Sequence, residues 1–472
     1  MSANELKRER PWLSMLFVGA IAAAVRLPGV YGRPFWEDEV ASARIVIQPT
    51  FQAMLHQVGQ TESTPPLWYA IVWLAHRVGM PLQSERLLSV AFGAMFAAAV
   101  VKLARCFVPL PLATAAGLMT ALGAEFVVHG AELRAYELLA LLSVTLGLSV
   151  LKVLEHPSRR WDVGLAATVA AGCLTHYFFA FSVGAVLTWL WLDPGARHVR
   201  RRSTVATLVG GAFAALSAPV LWTQYGHGRF RWIGAFQLRS VAAVPLRLFT
   251  YAYNDTPVGL ALTVSALGAL SIGGIHLARS SAGGRLVVSL ASGPIAAAAA
   301  AWAAGVPIFD LRNLVGVGAY VAVLAVALLD TLSLHLKVVA AAAIVGSMAL
   351  SSVTSTAERI PAYDAMARSL VRHGWNASRP ILVYGDPYRY RLPFEWYLPR
   401  QPVLEMSRVL AGSCAEVFVV TPSGKVRREG LRAPLSSDRS LHHATLLVDP
   451  AHGPRCASVH RSEPPLKSDA PT

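Results

Sequence analysis

The stretch PPLWYAIVWLAHRVGM, residues 65–80, decides how the rest of this chain is threaded. Its length lies just under the roughly 17 to 25 residues that a helix needs to cross a bilayer. If it crosses, every later connection lands on the opposite side of the membrane; if it lies flat, the parity of the following spans is kept. Loop charge chooses between the two. With 65–80 lying flat, Lys7, Arg8 and Arg10 face the cytoplasm, as do Lys102, Arg105, Arg159, Arg160, Arg200, Arg201, Arg202, Arg279 and Arg285. That is the distribution the positive-inside rule requires. The opening Pro65 and Pro66, the aromatic Trp68, Tyr69 and Trp73, and the closing His76 and Arg77 suit a helix lying in the headgroup plane.

Outward from that stretch, apolar runs long enough to cross lie at about 11–28, 87–106, 112–128, 137–154, 162–176, 178–192, 204–222, 257–278, 285–305, 313–330 and 337–354. About eleven spans follow, with the N-terminus inside. The first run, after a basic start, imitates a signal peptide, but Arg26 and the apolar runs that follow it favour an uncleaved first span. With 54% hydrophobic residues and only 15% charged ones, the 472-residue chain reads as a multi-span membrane protein. A net charge of +15 would suit a nucleic-acid binder, yet the Lys and Arg fall in short connectors between apolar runs, so no nucleic-acid partner is expected. Beyond residue 355 the apolar runs shorten to ILVYGD, EVFVVT and ATLLVD, the pattern of strands in a small α/β domain. The expected organisation is a transmembrane domain over 1–354, with a first outer-face loop at 29–86, and an extracytoplasmic α/β domain over 355–472.

This threading gathers five polar segments on the outer face: FWEDEV (35–40), GAELRAYE (130–137), THYF (175–178), GHGRFRW (226–232) and PIFDLRN (307–313). Each has a plain reading. Glu37, Asp38 and Glu39 suit the start of a helix on dipole grounds alone. Arg134 suits a snorkelling arginine, His176 a buried structural histidine, and Asp310 with Arg312 an internal ion pair. Carboxylates beside a bilayer are nonetheless costly unless hydrated, paired or used, and polar sites converging on one face of a bundle describe a pocket.

The ordered set EDEV, PPLWYAIVWLAHRVG, ERLLSVAFGAMFAA, AELRAYELLALLS, THYF and DLRNLVGVGAYVAVLAVALL resembles the membrane glycosyltransferases of the GT-C fold. Within them it looks most like the dolichyl-phosphate-mannose protein mannosyltransferase group, glycosyltransferase family 39, which includes the bacterial aminoarabinose transferases. The resemblance runs over roughly residues 10–335. It implies an inverting transfer of a sugar from a polyprenyl phosphate, undecaprenyl or decaprenyl, to an extracytoplasmic glycolipid, polysaccharide or protein acceptor. It further implies a multi-pass protein of the bacterial inner membrane. By resemblance Asp38 is the catalytic base and Glu39 its neighbour, while Glu132 and Arg134 match the second-loop polar motif and Arg312 the arginine before a late span. Two positions depart from the pattern: Thr64 stands where many relatives have Lys or His before the proline, and Asn313 where many have Tyr.

The chemistry supports the same roles. A departing phosphate gains negative charge that arginine forks can hold, so Arg134 and Arg312 suit the donor phosphate, with Tyr136, His176 and Tyr177 as neighbours of phosphate or sugar. One carboxylate suffices to activate an acceptor hydroxyl. A divalent metal is left open as a cofactor; the four cysteines form no metal-ligand pair such as CxxC. Cys414 and Cys456, both placed outside, are expected to form a disulfide in the C-terminal domain. The alternative is a transporter or flippase of lipid-linked saccharides, which also carries intramembrane charge. Against it stand the absence of inverted repeats and the gathering of polar residues at one face.

Overall fold

A computed structural model of the chain describes residues 10–225, 233–250, 256–355, 362–372, 375, 381–383, 387–398, 404–405, 417–420, 426–429, 445–447 and 458–460. The GHGRFRW segment, Cys414 and Cys456 lie outside the described residues. Two compact units result: one comprises 1–31 and 42–357, the other 32–41 and 358–472.

The first unit is helical. The apolar runs of the sequence fall on helical segments, and among the described residues eight helices are long and apolar enough to cross a membrane: Pro11–Gly32, Leu82–Ala104, Tyr136–Glu155, Arg200–Gln224, Pro257–Ser280, Ala282–Ala303, Leu311–Asp330 and Leu334–Ser351. Leu110–Leu122 and Phe179–Leu192 are apolar but shorter, and Arg159–Thr175 opens on two arginines. The chain is a multi-pass membrane protein. Its core runs from Val18 to Met348 and is rich in alanine and valine. Gly147 lies against the Tyr320 ring, and Gly172 against the ring of Phe179, so in both places a glycine lets a neighbouring aromatic approach the helix backbone.

The stretch 65–80 forms the helix Leu67–Arg77. At 1.5 Å per residue its eleven residues extend roughly 16 Å, about half a hydrocarbon core. It ends at Gly79, whose φ of 94° turns the chain in a conformation that favours glycine. Preceding it, the helix Phe51–Thr61 is capped by the Thr50 hydroxyl, which accepts from the Ala53 amide at 3.1 Å. Met54 and Val58, one turn apart, bury with Trp68, Tyr69, Val72, Leu133, Ala135 and Leu138 in a local core. This core ties the 51–77 segment to the loop that carries Arg134.

The expected span 112–128 is not a single continuous helix. The run 112–128 divides into Leu110–Leu122 and the short helix Ala124–His129, because Gly123 between them is extended, with φ −60° and ψ 136°. A Cβ there would meet Phe126, Phe249 and the Met119 carbonyl, and the Ala124 amide donates to the Phe249 carbonyl at 3.2 Å. After the break, Glu125 and His129 lie on the short helix that leads into the loop with Glu132, to which His129 pairs.

The second unit is α/β. Strands β1 (Ile381–Val383), β2 (Leu404–Glu405), β3 (Val417–Val420) and β4 (Val426–Glu429) form a sheet in the order β2-β1-β3-β4. β1 runs parallel to β2 and β3, and β3 pairs antiparallel with β4. β5 (Thr445–Leu447) and β6 (Ser458–His460) pair antiparallel by themselves. The three runs ILVYGD, EVFVVT and ATLLVD thus each supply a strand. Helices Tyr363–Arg372 and Pro387–Tyr397 bury Tyr363, Met366, Leu370, Tyr390 and Phe394 with Trp375 and Ile381. The early segment belongs to this unit because the Phe35 amide donates to the Tyr397 hydroxyl at 2.6 Å and the Phe35 ring packs edge-on to Trp396.

Candidate active site

The acidic cluster of FWEDEV forms the first turn of the helix Glu37–Val46. All three carboxylates stand where the helix dipole favours negative charge. The helix thus starts at the acidic cluster, as the plain reading of FWEDEV expects. Glu39 is fully buried and Asp38 half-buried. Both belong to the second unit, whereas Glu132, Arg134, Tyr136, His176, Tyr177 and Arg312 belong to the first.

Within the first unit Arg134 is the centre of a buried polar cluster. One guanidinium nitrogen, Nη1, donates to Glu62 Oε1 at 2.9 Å, to Ser42 Oγ at 3.2 Å and to the Tyr69 hydroxyl at 3.3 Å. Thr64 Oγ1 lies 3.1 Å from the same hydroxyl. Burial pushes the Tyr69 phenol well above its usual range, so it stays neutral beside the carboxylate. Thr64 therefore holds its place through Tyr69 without supplying a charge of its own.

Gln224 locks the loop that carries Glu62 and Thr64. Its amide nitrogen donates to the Val58 carbonyl at 3.2 Å and to the Thr64 carbonyl at 2.9 Å, bridging the start and end of that turn. Tyr177 donates to the other end of the same amide at 2.8 Å. Of the THYF pair, Tyr177 thus reaches the Arg134 cluster through Gln224. Burial raises its hydroxyl to about 12.

Glu132 faces away from that cluster. Its carboxylate accepts from His129 Nδ1 at 2.8 Å, while Glu125 lies 3.2 Å from His129 Nε2. Burial would lower the His129 imidazole, but Glu132 and Glu125 outweigh it and raise the group to about 9. The ring of His129 packs on Tyr136 with centroids 4.6 Å apart, and the Arg134 guanidinium stands 6.0 Å from the centroid of the same Tyr136 ring. His176 follows at 6.4 Å from Tyr136. Burial, reinforced by Arg134 and Arg312, drives His176 down to about 3, so it is a neutral imidazole at ordinary pH.

Arg312 lies half-buried and pairs with Asp310 at 3.5 Å, the ion pair that the plain reading of FDLRN anticipates. Asp310 also caps its own short helix by accepting from the Arg312 amide at 3.0 Å. Asn313, the second departure, donates to the Ile308 carbonyl at 3.4 Å.

Beneath the loop, Arg26 of the first span is buried against Glu137 at 3.4 Å and donates to the Ala22 and Ala121 carbonyls, each at 2.9 Å. Arg26, Ser42, Glu62, Tyr69, Glu125, His129 and Gln224 went unnoticed in the sequence as members of this network. Glu62 and His129 carried the one available signal, since each is an ionisable residue within a few positions of a motif already singled out. Among the described residues no group of three or more His, Cys, Asp and Glu is arranged to hold a metal ion.

The family model for dolichyl-phosphate-mannose-protein mannosyltransferases matches residues 63–222, about a third of the chain. The structure of ArnT from Cupriavidus metallidurans bound to undecaprenyl phosphate superposes with a TM-score of 0.54 at 13% identity, over 83% of this chain and 85% of that one. The fold is GT-C. The Archaeoglobus fulgidus oligosaccharyltransferase tethered to an acceptor peptide is similar at the same TM-score of 0.54 and 13% identity, covering 83% of this chain. This GT-C chain spans 64% of that larger protein, just under two thirds of its length. No curated protein sequence matches the chain.

Proposed function

We propose that this GT-C protein is an inverting glycosyltransferase that moves a sugar from a polyprenyl phosphate to an acceptor on the outer face of a bacterial inner membrane. The observation that carries the proposal is Arg134: a buried guanidinium in a polar cluster, within a fold that holds undecaprenyl phosphate in the Cupriavidus protein. Arg134 already meets the Glu62 carboxylate, and a guanidinium fork, with five donors, can hold a lipid phosphate from the bilayer beside that partner.

In this reading the acceptor hydroxyl gives its proton to the Asp38 carboxylate as its oxygen attacks the anomeric carbon from the face opposite the phosphate. The bond between that carbon and the phosphate oxygen breaks, and the electron pair leaves with polyprenyl phosphate. A phosphate is a stabilised leaving group, so the acid-base task reduces to one carboxylate. Arg134 holds the charge that develops on the phosphate, and Arg312 is its second candidate partner. Tyr136, neutral His176 and Tyr177 line the sugar or phosphate, and Glu132, paired with His129, shapes the loop that presents Arg134. Glu39 supports Asp38 from the same helical turn. The sugar and the acceptor class are open, with a glycolipid, a polysaccharide or a protein all compatible with the site.

Mass spectrometry of polyprenyl-phosphate sugars and envelope glycans in a strain lacking the protein tests the proposal. Accumulation of one lipid-linked sugar together with loss of that sugar from one envelope glycan is the expected result. An unchanged pool of lipid-linked sugars and an unchanged glycan profile would refute it.

A further inference from the structure

Arg134 Nη1 donates to Ser42, Glu62 and Tyr69, and one of these acceptors is a carboxylate. Glu62 is 4% exposed and Arg134 8%, so their 2.9 Å contact is an ion pair shielded from water. The position of that carboxylate is fixed from several sides. Glu62 terminates the helix Phe51–Thr61 with its own amide donating to the Val58 carbonyl at 3.0 Å. Gln224 then holds the Val58 and Thr64 carbonyls that flank it. An acid built this rigidly against the arginine proposed to meet the donor is an odd choice for a phosphate site, because it repels the very group the arginine attracts.

The oddity resolves when donor and product are compared. A polyprenyl-phosphate sugar is a phosphodiester with a single negative charge, whereas the released polyprenyl phosphate is a monoester that carries about 1.5 to 2 near neutral pH. An arginine with no counter-charge would hold the product more tightly than the donor and slow turnover. We infer that Glu62 is a positioning residue that aims Arg134 while offsetting part of its charge, so that the site releases the more highly charged polyprenyl phosphate. This deepens the reading of Arg134 as the phosphate-facing arginine and rests on it.

Ser42 and Tyr69 share the aiming without sharing the charge. Tyr69, neutral and held by Thr64, is a contact whose loss leaves the electrostatics of the site unchanged. The roles of geometry and of charge can therefore be separated by substitution. Glu62→Gln keeps an oxygen that accepts from Arg134 and removes only the charge. Glu62→Asp keeps the charge but withdraws it by one methylene.

The experiment is equilibrium binding of undecaprenyl phosphate, with undecaprenol as the uncharged control, to the full chain in nanodiscs. Wild type, Glu62→Gln, Glu62→Asp, Tyr69→Phe and Arg134→Ala are compared. Glu62→Gln is expected to bind undecaprenyl phosphate about ten-fold more tightly than wild type, the scale of one charge a few ångströms away that is screened almost as in water. Glu62→Asp should fall between the two, Tyr69→Phe should not tighten, and undecaprenol binding should not change in any of them. Should Glu62→Gln fail to fold, the Asp variant carries the same comparison. Weaker or unchanged phosphate binding in the Glu62 variants, with wild type binding and Arg134→Ala not, would overturn the inference and leave the proposed function standing. Failure of wild type itself to prefer undecaprenyl phosphate over undecaprenol would overturn both.

Discussion

His129 shows how a single residue sets the character of the loop around it. Its imidazole lies between Glu125 and Glu132 and packs on Tyr136. Because the group rises from an ordinary value of 6.5 to about 9 on folding, the stabilisation it contributes is complete below about pH 6.5 and is lost as pH rises through about 9. Thermal unfolding of the detergent-solubilised protein between pH 6 and 10 should therefore show a fall in Tm that is steeper for wild type than for His129→Gln. Parallel curves for the two proteins would show that the cluster is not charged. The sequence shows a histidine three residues before a glutamate, but the contact that matters also needs Glu125, one turn back. The local helix that puts the two on one side exists only because Gly123 breaks the span. Glu62 was illegible for a similar reason: it lies 72 residues from Arg134, and only the packing of Trp68, Tyr69 and Leu133 brings the two segments together.

At the scale of elements, the short length of 65–80 was legible in the sequence, and the helix Leu67–Arg77 has only eleven residues, fewer than a span needs; that it lies in the headgroup plane is the reading its prolines and aromatic residues suggest. The break in the run 112–128 was not, since glycine is common in spanning helices and Gly123 has no polar neighbour on its N-terminal side to mark a boundary. The join between the first span and the arginine loop depends on another glycine. A Cβ on Gly130 would collide with the Arg26 side chain and with the Phe126 carbonyl. Gly130→Ala is expected to destabilise the protein by about 1 to 3 kcal/mol, the usual range for overpacking a tight core. It should also weaken undecaprenyl phosphate binding, because Arg26 anchors the start of the helix that follows Arg134 through Glu137. A Tm equal to that of wild type would mean that Arg26 yields without cost and that the loop is not built on it.

For the whole molecule, apolar periodicity and loop charge were enough to reach a multi-pass bundle followed by an α/β unit, since the strand-forming runs after residue 355 differ so sharply from the spans before it. The ordered motifs led to the GT-C fold that the structural comparisons show. What sequence could not supply is the set of second partners, such as Glu62, Gln224 and Arg26, that decides which charges are offset and which are available to a ligand. The central claim is the proposal that Asp38 serves as base and Arg134 meets the phosphate. It is tested most directly by incubating the purified protein in vesicles with polyprenyl-phosphate sugars extracted from its host membranes and the host's envelope acceptors. Release of polyprenyl phosphate and the anomeric configuration of the transferred sugar are then followed. Wild type is predicted to release polyprenyl phosphate with inversion, Asp38→Asn to do so roughly two to four orders of magnitude more slowly, and Arg134→Ala to lose the reaction. Donor left intact by wild type, or turnover that survives both substitutions, would contradict the account.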